Sequence, residues 1–362
     1  MHEIAANDSA SMATAPILTA DQYLHILASE QQRRFTCRAT TAAELNAWQQ
    51  AFRPELRRML GMHRIADRGV SDLAPRLVDS VTMPTHIREE WRLTTEPGFE
   101  LPLFLLRPFT LRGRVPVVIT PHGHGIRGKA IYVGIAETEA DRASIVDGER
   151  DIAVQAVEAG YIAIAPDMRG FADLRMNKDR DDGAGSSCRT LHLHAQLVGR
   201  TLIGERAWDI SRIIDWISTL PQCDSSKIVV TGNSGGGTAT LFAAACDERI
   251  AVAMPSCYFS TFLDSIGSII HCACNYVPGM LLDAEMADVA GLIAPRPFLA
   301  IAGLTDEIFP IAAVRSSFAR LQTIYRAAGV EDHCALSVGD GGHRFFKRDA
   351  WPFVRRHLNL ES

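Results

Sequence analysis

Two stretches of this chain are apolar at almost every position, Val115-Pro116-Val117-Val118-Ile119-Thr120 and Tyr161-Ile162-Ala163-Ile164-Ala165. A third, Lys227-Ile228-Val229-Val230-Thr231, has a β-branched centre. Short runs without polar alternation read as strands buried on both faces. Between and after them the period changes to that of helices. Asp151–Ala159 is a helix ended by Gly160, and Leu191–Leu220 reads as one long helix ended by Pro221. Gly237–Ala245 is a helix rich in small residues, and helices follow over Ile311–Ala328 and Phe345–Leu358. Further strands fall at Ala251–Met254, Pro297–Ile301 and Ala335–Val338. Strand alternating with helix implies a mostly parallel sheet with helices on both faces, an α/β fold.

The pattern before this region differs. Ile87–Thr94 and Leu101–Arg107 flank Glu96-Pro97-Gly98 and predict an antiparallel hairpin. Upstream, Tyr23, Leu24, Ile26 and Leu27 cluster, and Leu45, Trp48, Phe52, Leu56, Met59 and Leu60 recur at helical spacing. Pro54 falls inside the second series and is expected to split it into two short helices. Residues 1–20 are small and polar, a composition expected to be disordered. The domain reading is a disordered segment over 1–20, a helical appendage over 21–85 and a catalytic α/β domain over 86–362. The irregular stretches 126–148, 171–190 and 256–290 follow strands, where active-site loops belong.

Composition narrows the function classes. With 362 residues, 47% hydrophobic and 22% charged, the chain has ample material for a large core. A net charge of −5 and no long basic run exclude a nucleic-acid footprint and give no support to an anionic membrane surface. No apolar stretch approaches the roughly 18 residues of a spanning helix. The first twenty residues carry His2, Glu3 and Asp8 and lack a basic start and an apolar centre, so they do not read as a signal peptide. A cytoplasmic protein with eight reduced cysteines is the expectation. Oligomeric state is left open, a homo-oligomer included.

The chemistry concentrates at Gly232-Asn233-Ser234-Gly235-Gly236, a G-x-S-x-G between a strand and a helix. This is the context of a nucleophile elbow, in which Ser234 projects from a tight turn at the sheet end. A serine hydroxyl needs a base, and the base needs an acid to orient it. Asp306 follows the strand Pro297–Ile301, and His343 follows the next one in Gly339-Asp340-Gly341-Gly342-His343. Ser234, Asp306 and His343, each past a strand end, form a candidate triad. Glu307 and Asp340 are alternative acids. The backbone amide of Gly235 is one expected oxyanion donor, and that of His124 in Pro121-His122-Gly123-His124-Gly125 is the other.

No metal or other cofactor is expected. His122-Gly123-His124 lacks the further ligands of a dinuclear site, and His192 and His194 do not face each other on a helix. His271-Cys272-Ala273-Cys274 invites zinc but has no second pair at zinc spacing, so buried thiols are the reading. Arg200 and Glu205 are candidate substrate contacts, with a structural ion pair the competing role. Tyr258 and Tyr276 are candidate pocket residues, with packing of their insertion the alternative.

These motifs, with Asp167-Met168-Arg169-Gly170, resemble the α/β-hydrolase superfamily over about residues 86–358. Within it the chain is similar to acetyl xylan esterases, cephalosporin deacetylases and dienelactone-hydrolase-like proteins. The resemblance implies a cofactor-free Ser-His-Asp ester hydrolase acting on small-acyl, acetyl or carbohydrate esters, with Asp167 and Arg169 in a structural turn. The chain departs from the acetyl xylan esterase pattern at Gly235 and His124, where glutamine and tyrosine are usual. Alternatives are a serine peptidase, another acyl or carbon–carbon bond hydrolase of the same fold, or a non-catalytic ligand binder.

Overall fold

The computed structural model describes residues 19–360, so the expectation of disorder falls, except at its last two positions, outside the described residues. Ala20 already starts a helix, Ala20–Glu30. Nine strands form one sheet: β1 (Arg76–Thr82), β2 (His86–Glu96), β3 (Phe99–Pro108), β4 (Val115–Ile119), β5 (Ile162–Pro166), β6 (Cys223–Asn233), β7 (Ile250–Ser256), β8 (Phe298–Gly303) and β9 (Cys334–Gly339). Their order is β1-β2-β3-β5-β4-β6-β7-β8-β9. The first three strands meet their neighbours antiparallel, and β5 through β9 are parallel. The hairpin closes on Pro97-Gly98, with Glu96 opposite Phe99. β1, unread in the sequence, is exposed along its whole length, so it carries no apolar alternation to betray it.

Alternate residues of the central strands fill two cores. Val117, Ile119, Ile162, Ile164, Ile228 and Val230 join one cluster. Val118, Ala163, Ala165 and Val229 join the other. That is why these strands read as unbroken apolar runs: both faces are covered. The helix Ile152–Glu158 and the last helix, Ala350–His357, lie on the second face.

The N-terminal helices Ala42–Met59 and Met62–Ala66 contribute Leu45, Phe52, Leu56, Leu60, Met62 and Ile65 to the larger core. Pro54 does not split its helix. Both Pro54 and Gln50, whose carbonyl the missing N–H would have bonded, are exposed, and water can satisfy that carbonyl. This segment also reaches the end of the fully buried helix Gly235–Cys246. The last carbonyls of that helix have no solvent to bond. Arg53 donates to Ala245 O at 2.5 Å, Arg57 to Cys246 O at 3.0 Å and Arg296 to Ala244 O at 2.7 Å. Three cations at a helix C-terminus also complement its dipole.

The expected long helix before β6 is two, Cys188–Leu197 and Leu202–Ile217. Gly199 between them adopts φ +69°, and Thr201 caps the second helix by accepting from Gly204 N at 3.0 Å. Glycine followed by a capping threonine was the break signal.

Candidate active site

Ser234 sits between β6 and the helix Gly235–Cys246 with φ +58° and ψ −118°, a conformation L-residues rarely adopt. The turn is held from several sides. Ser234 N donates to Ser256 O at 2.8 Å, and Ser256 Oγ donates to Asn233 Oδ1 at 2.9 Å. Asn233 N donates to Tyr132 Oη at 3.0 Å. A Cβ at Gly232 or Gly236 would lie 2.1 or 2.0 Å from Pro121 O, so only glycine lets the Pro121–Gly125 loop cross the elbow here.

The loops after β8 and β9 are bonded to each other. Leu304 N donates to Gly339 O, and Thr305 N donates to Gly341 O, both at 2.9 Å. This interlock brings His343 Nδ1 to 2.8 Å from Asp306 Oδ2. Asp306 Oδ1 accepts from Ile308 N at 2.9 Å and Phe309 N at 3.2 Å. Burial would raise the Asp306 pKa, but His343 and the two amides outweigh it and hold the carboxyl below its ordinary value. A carboxylate accepting from Nδ1 leaves His343 Nε2 as the basic nitrogen, and Nε2 has no partner among the described residues. Glu307 and Asp340 are exposed and do not bond His343. Ser234, His343 and His124 line one cavity of about 460 Å³.

The two expected oxyanion donors are neighbours. A Cβ on Gly235 would lie 3.7 Å from His124 N. Neither amide donates to another group among the described residues. His122 is a scaffold residue: it accepts from Met168 N at Nε2 (2.9 Å) and lies 2.7 Å from Gly123 O at Nδ1. Full burial pushes its pKa down to about 3, so the ring is neutral.

The candidate substrate-contact and pocket residues lie elsewhere. Arg200 pairs with Glu96 at 2.7 Å and Glu205 at 3.0 Å. The same buried network holds Arg169, bidentate to Asp209 at 2.7 Å. It is a structural ion cluster away from the cavity. Tyr258 is buried against Phe309, with ring centroids 5.4 Å apart. Tyr276 donates to Ile266 O at 3.0 Å and lines a separate groove. Asp167 is paired with the buried Lys129 at 2.6 Å.

Other residues at the cavity were not read from the sequence. Arg150 lines it, and its Nε has no partner among the described residues. Ile269, Ile270 and His271 bring the 256–290 insertion to the rim, whereas none of residues 21–66 lines the cavity. Burial pushes the His271 pKa down to about 4, and its Nδ1 accepts from Cys272 N at 2.9 Å. Tyr132 and Arg150 come from or border the irregular 126–148 stretch, where position after a strand was the only signal.

A family model for fungal glucuronyl esterases matches residues 156–260, the region from β5 past the elbow. YtaP of Bacillus subtilis, assigned as a hydrolase, is 22% identical over 71% of this chain and 83% of its own length. The 4-O-methyl-glucuronoyl methylesterase of Phanerochaete carnosa is 30% identical over 40% of this chain, and the match spans 42% of that enzyme. A Bacteroides fragilis structure assigned as an acetyl xylan esterase superposes with a TM-score of 0.72 at 18% identity, covering 91% of this chain and 84% of that one.

Proposed function

We propose that this α/β-hydrolase is a serine carboxylic ester hydrolase that works through an acyl-enzyme on small polar esters carried on carbohydrates. The fold is that of the α/β-hydrolase esterases, and the fungal relatives are ester hydrolases. The observation that carries the proposal is the Asp306–His343 pair at 2.8 Å, with Nε2 unpartnered on a cavity shared with Ser234. His343 Nε2 takes the Ser234 proton as Oγ attacks the ester carbonyl. The oxyanion is received by the amides of Gly235 and His124. His343 then protonates the leaving alcohol, and the same nitrogen activates the water that frees the acid. Asp306 fixes the imidazole tautomer and stabilises the cation. The Arg150 side chain lines the cavity and brings a cation to it, which favours a polar ligand.

The relatives' names put the sugar on opposite sides of the ester: glucuronoyl is an acyl group, while acetyl xylan carries its sugar as the alcohol. Wild type and Ser234→Ala should therefore be assayed on 4-nitrophenyl acetate through decanoate, on acetylated xylose and on methyl glucuronate. Turnover of short esters, cut by about 10⁴-fold or more in Ser234→Ala, is expected. Near-full activity in that variant would remove Ser234 from the mechanism. No turnover and no labelling of Ser234 by a phosphonate would favour a ligand-binding protein.

A further inference from the structure

Beside the oxyanion loop, four metal-ligating side chains converge from three parts of the chain. Cys188 begins the helix Cys188–Leu197, Cys272 and Cys274 lie in the 256–290 insertion, and His124 belongs to the Pro121–Gly125 loop. Their ligand atoms all lie within 4.8 Å of one another. Cys274 Sγ is 3.5 Å from Cys272 Sγ and 3.7 Å from His124 Nε2. Ligands at about 2.3 Å from a tetrahedral zinc ion are ~3.7 Å apart, so the spacing suits a shared central ion. Cys188 and Cys274 are buried, and Cys272 and His124 are half-buried.

A second observation concerns charge. The Arg206 side chain is 1% exposed, and its hydrogen-bond partners among the described residues are a carbonyl and a thiol, with no carboxylate. Its Nη2 donates to Arg169 O at 2.6 Å and to Cys188 Sγ at 3.4 Å. A buried cation without a counter-charge is costly. Three neutral thiols would not supply one. A divalent ion held by three thiolates and a neutral imidazole carries one net negative charge, which Arg206 balances. The Phe171 ring meets His124 edge-on with centroids 5.0 Å apart, and the Arg206 guanidinium carbon lies 5.1 Å from that ring. Imidazole, thiols, cation and aromatic wall thus form one assembly.

We infer that Cys188, Cys272, Cys274 and His124 Nε2 form a tetrahedral zinc site. Three thiol protons are released to solvent as the thiolates bind, and the metal undergoes no redox change. Thiolate-rich tetrahedral donor sets select zinc over the harder divalent ions. The sequence concealed the site because only Cys272 and Cys274, two positions apart, are close in the chain; the other ligands lie 84 or more positions upstream. The site is separate from the hydrolytic residues, yet His124 belongs to both. Its ring faces the cluster while its amide serves the oxyanion, so a bound ion would hold that amide in place.

The test is metal analysis of the full chain, purified reduced and without chelator, and read without reference to hydrolysis. One zinc ion per chain, retained through gel filtration, is expected. After stripping with a chelator, addition of Co²⁺ alone should give intense visible bands of tetrahedral cobalt together with sulfur-to-cobalt charge transfer. Cys272→Ser, at the half-buried ligand, should stay folded by near-ultraviolet circular dichroism and lose the zinc or shift the cobalt spectrum. Folded, reduced wild type that carries no zinc and gives no sulfur–cobalt band would overturn the inference. So would a Cys272→Ser variant with unchanged metal content and an unchanged cobalt spectrum.

Discussion

Replacing Asp306 by asparagine separates orientation from charge at the proposed base. The asparagine can keep the contacts that Oδ1 makes with the amides of Ile308 and Phe309. What changes is the group facing His343 Nδ1 across 2.8 Å. An amide NH₂ there favours the tautomer with the hydrogen on Nε2, which cannot accept the Ser234 proton. Losing the charge-assisted hydrogen bond costs about 1.5–3 kcal/mol, one to two decades in rate. The carboxylate also stabilises the imidazolium formed on attack. A unit charge ~4 Å away in a partly buried site contributes about 4 kcal/mol at an effective dielectric near 20, close to three decades. Together these predict a fall in kcat of about 10⁴-fold, with KM little changed. Asp306 is 4% exposed, so water screens little of this. The assay is steady-state hydrolysis of 4-nitrophenyl acetate, with Glu307→Gln and Asp340→Asn as controls expected within a few fold of wild type. Because the folded Asp306 carboxyl is held below its ordinary pKa, its charge stabilises the protein above about pH 4 and this contribution fades as the pH falls below that. Asp306→Asn should therefore be less stable than wild type at pH 7 and converge with it in acid. A folded variant that keeps a tenth or more of wild-type kcat, or a larger loss in either control, would refute the assignment.

Two further outcomes are expected. Gly236→Ala places a Cβ 2.0 Å from Pro121 O and must displace the loop that carries His124; a loss of about 3 kcal/mol in urea denaturation is expected, and a variant of wild-type stability would contradict the close crossing of loop and elbow. Burial holds the His122 pKa at about 3, whereas an unfolded histidine titrates near ~6.5. Between those values only the unfolded chain takes up the proton, so stability declines as pH drops from ~6.5 toward 3, by about 1.4 kcal/mol per pH unit from this group. His122→Gln should flatten the wild-type slope between pH 4.5 and 6.5 in the same denaturation experiment, and equal slopes would show that His122 is not buried neutral.

The parts of the fold legible in the sequence are those with both faces buried or with strong turn chemistry. β4, β5 and the centre of β6 read as strands because both cores need their alternate residues, and Pro97-Gly98 marked the hairpin. β1 was invisible because an exposed edge strand obeys no apolar pattern. At Gly199 the glycine and the capping Thr201 signalled a break but were outweighed by apolar periodicity that continues across it, and Pro54 misled because exposure removes the usual cost of an unbonded carbonyl. At the site, residues attached to strand ends were legible: Ser234, Asp306 and His343 each occupy the loop their preceding strand predicts. Residues delivered by irregular segments were not. Nothing local to Arg150 or Cys188 announces which loop each will meet, since that depends on how the 126–148 and 256–290 segments cross above the sheet.

The arginines that close the helix behind Ser234 bear on the timing of synthesis. Arg53 waits for Ala245, 192 residues later in the chain, and Arg57 for Cys246, 189 later. The helix Ala42–Met59 therefore cannot complete these bonds until about 190 further residues have been made. Such long-range closure slows folding and leaves apolar surface on the early helix uncovered meanwhile. The seam between the N-terminal helices and the helix Gly235–Cys246 is thus a late-forming joint, and cutting the gene at residue 85 to obtain a smaller enzyme would leave the end of the Ser234 helix open rather than trim an ornament.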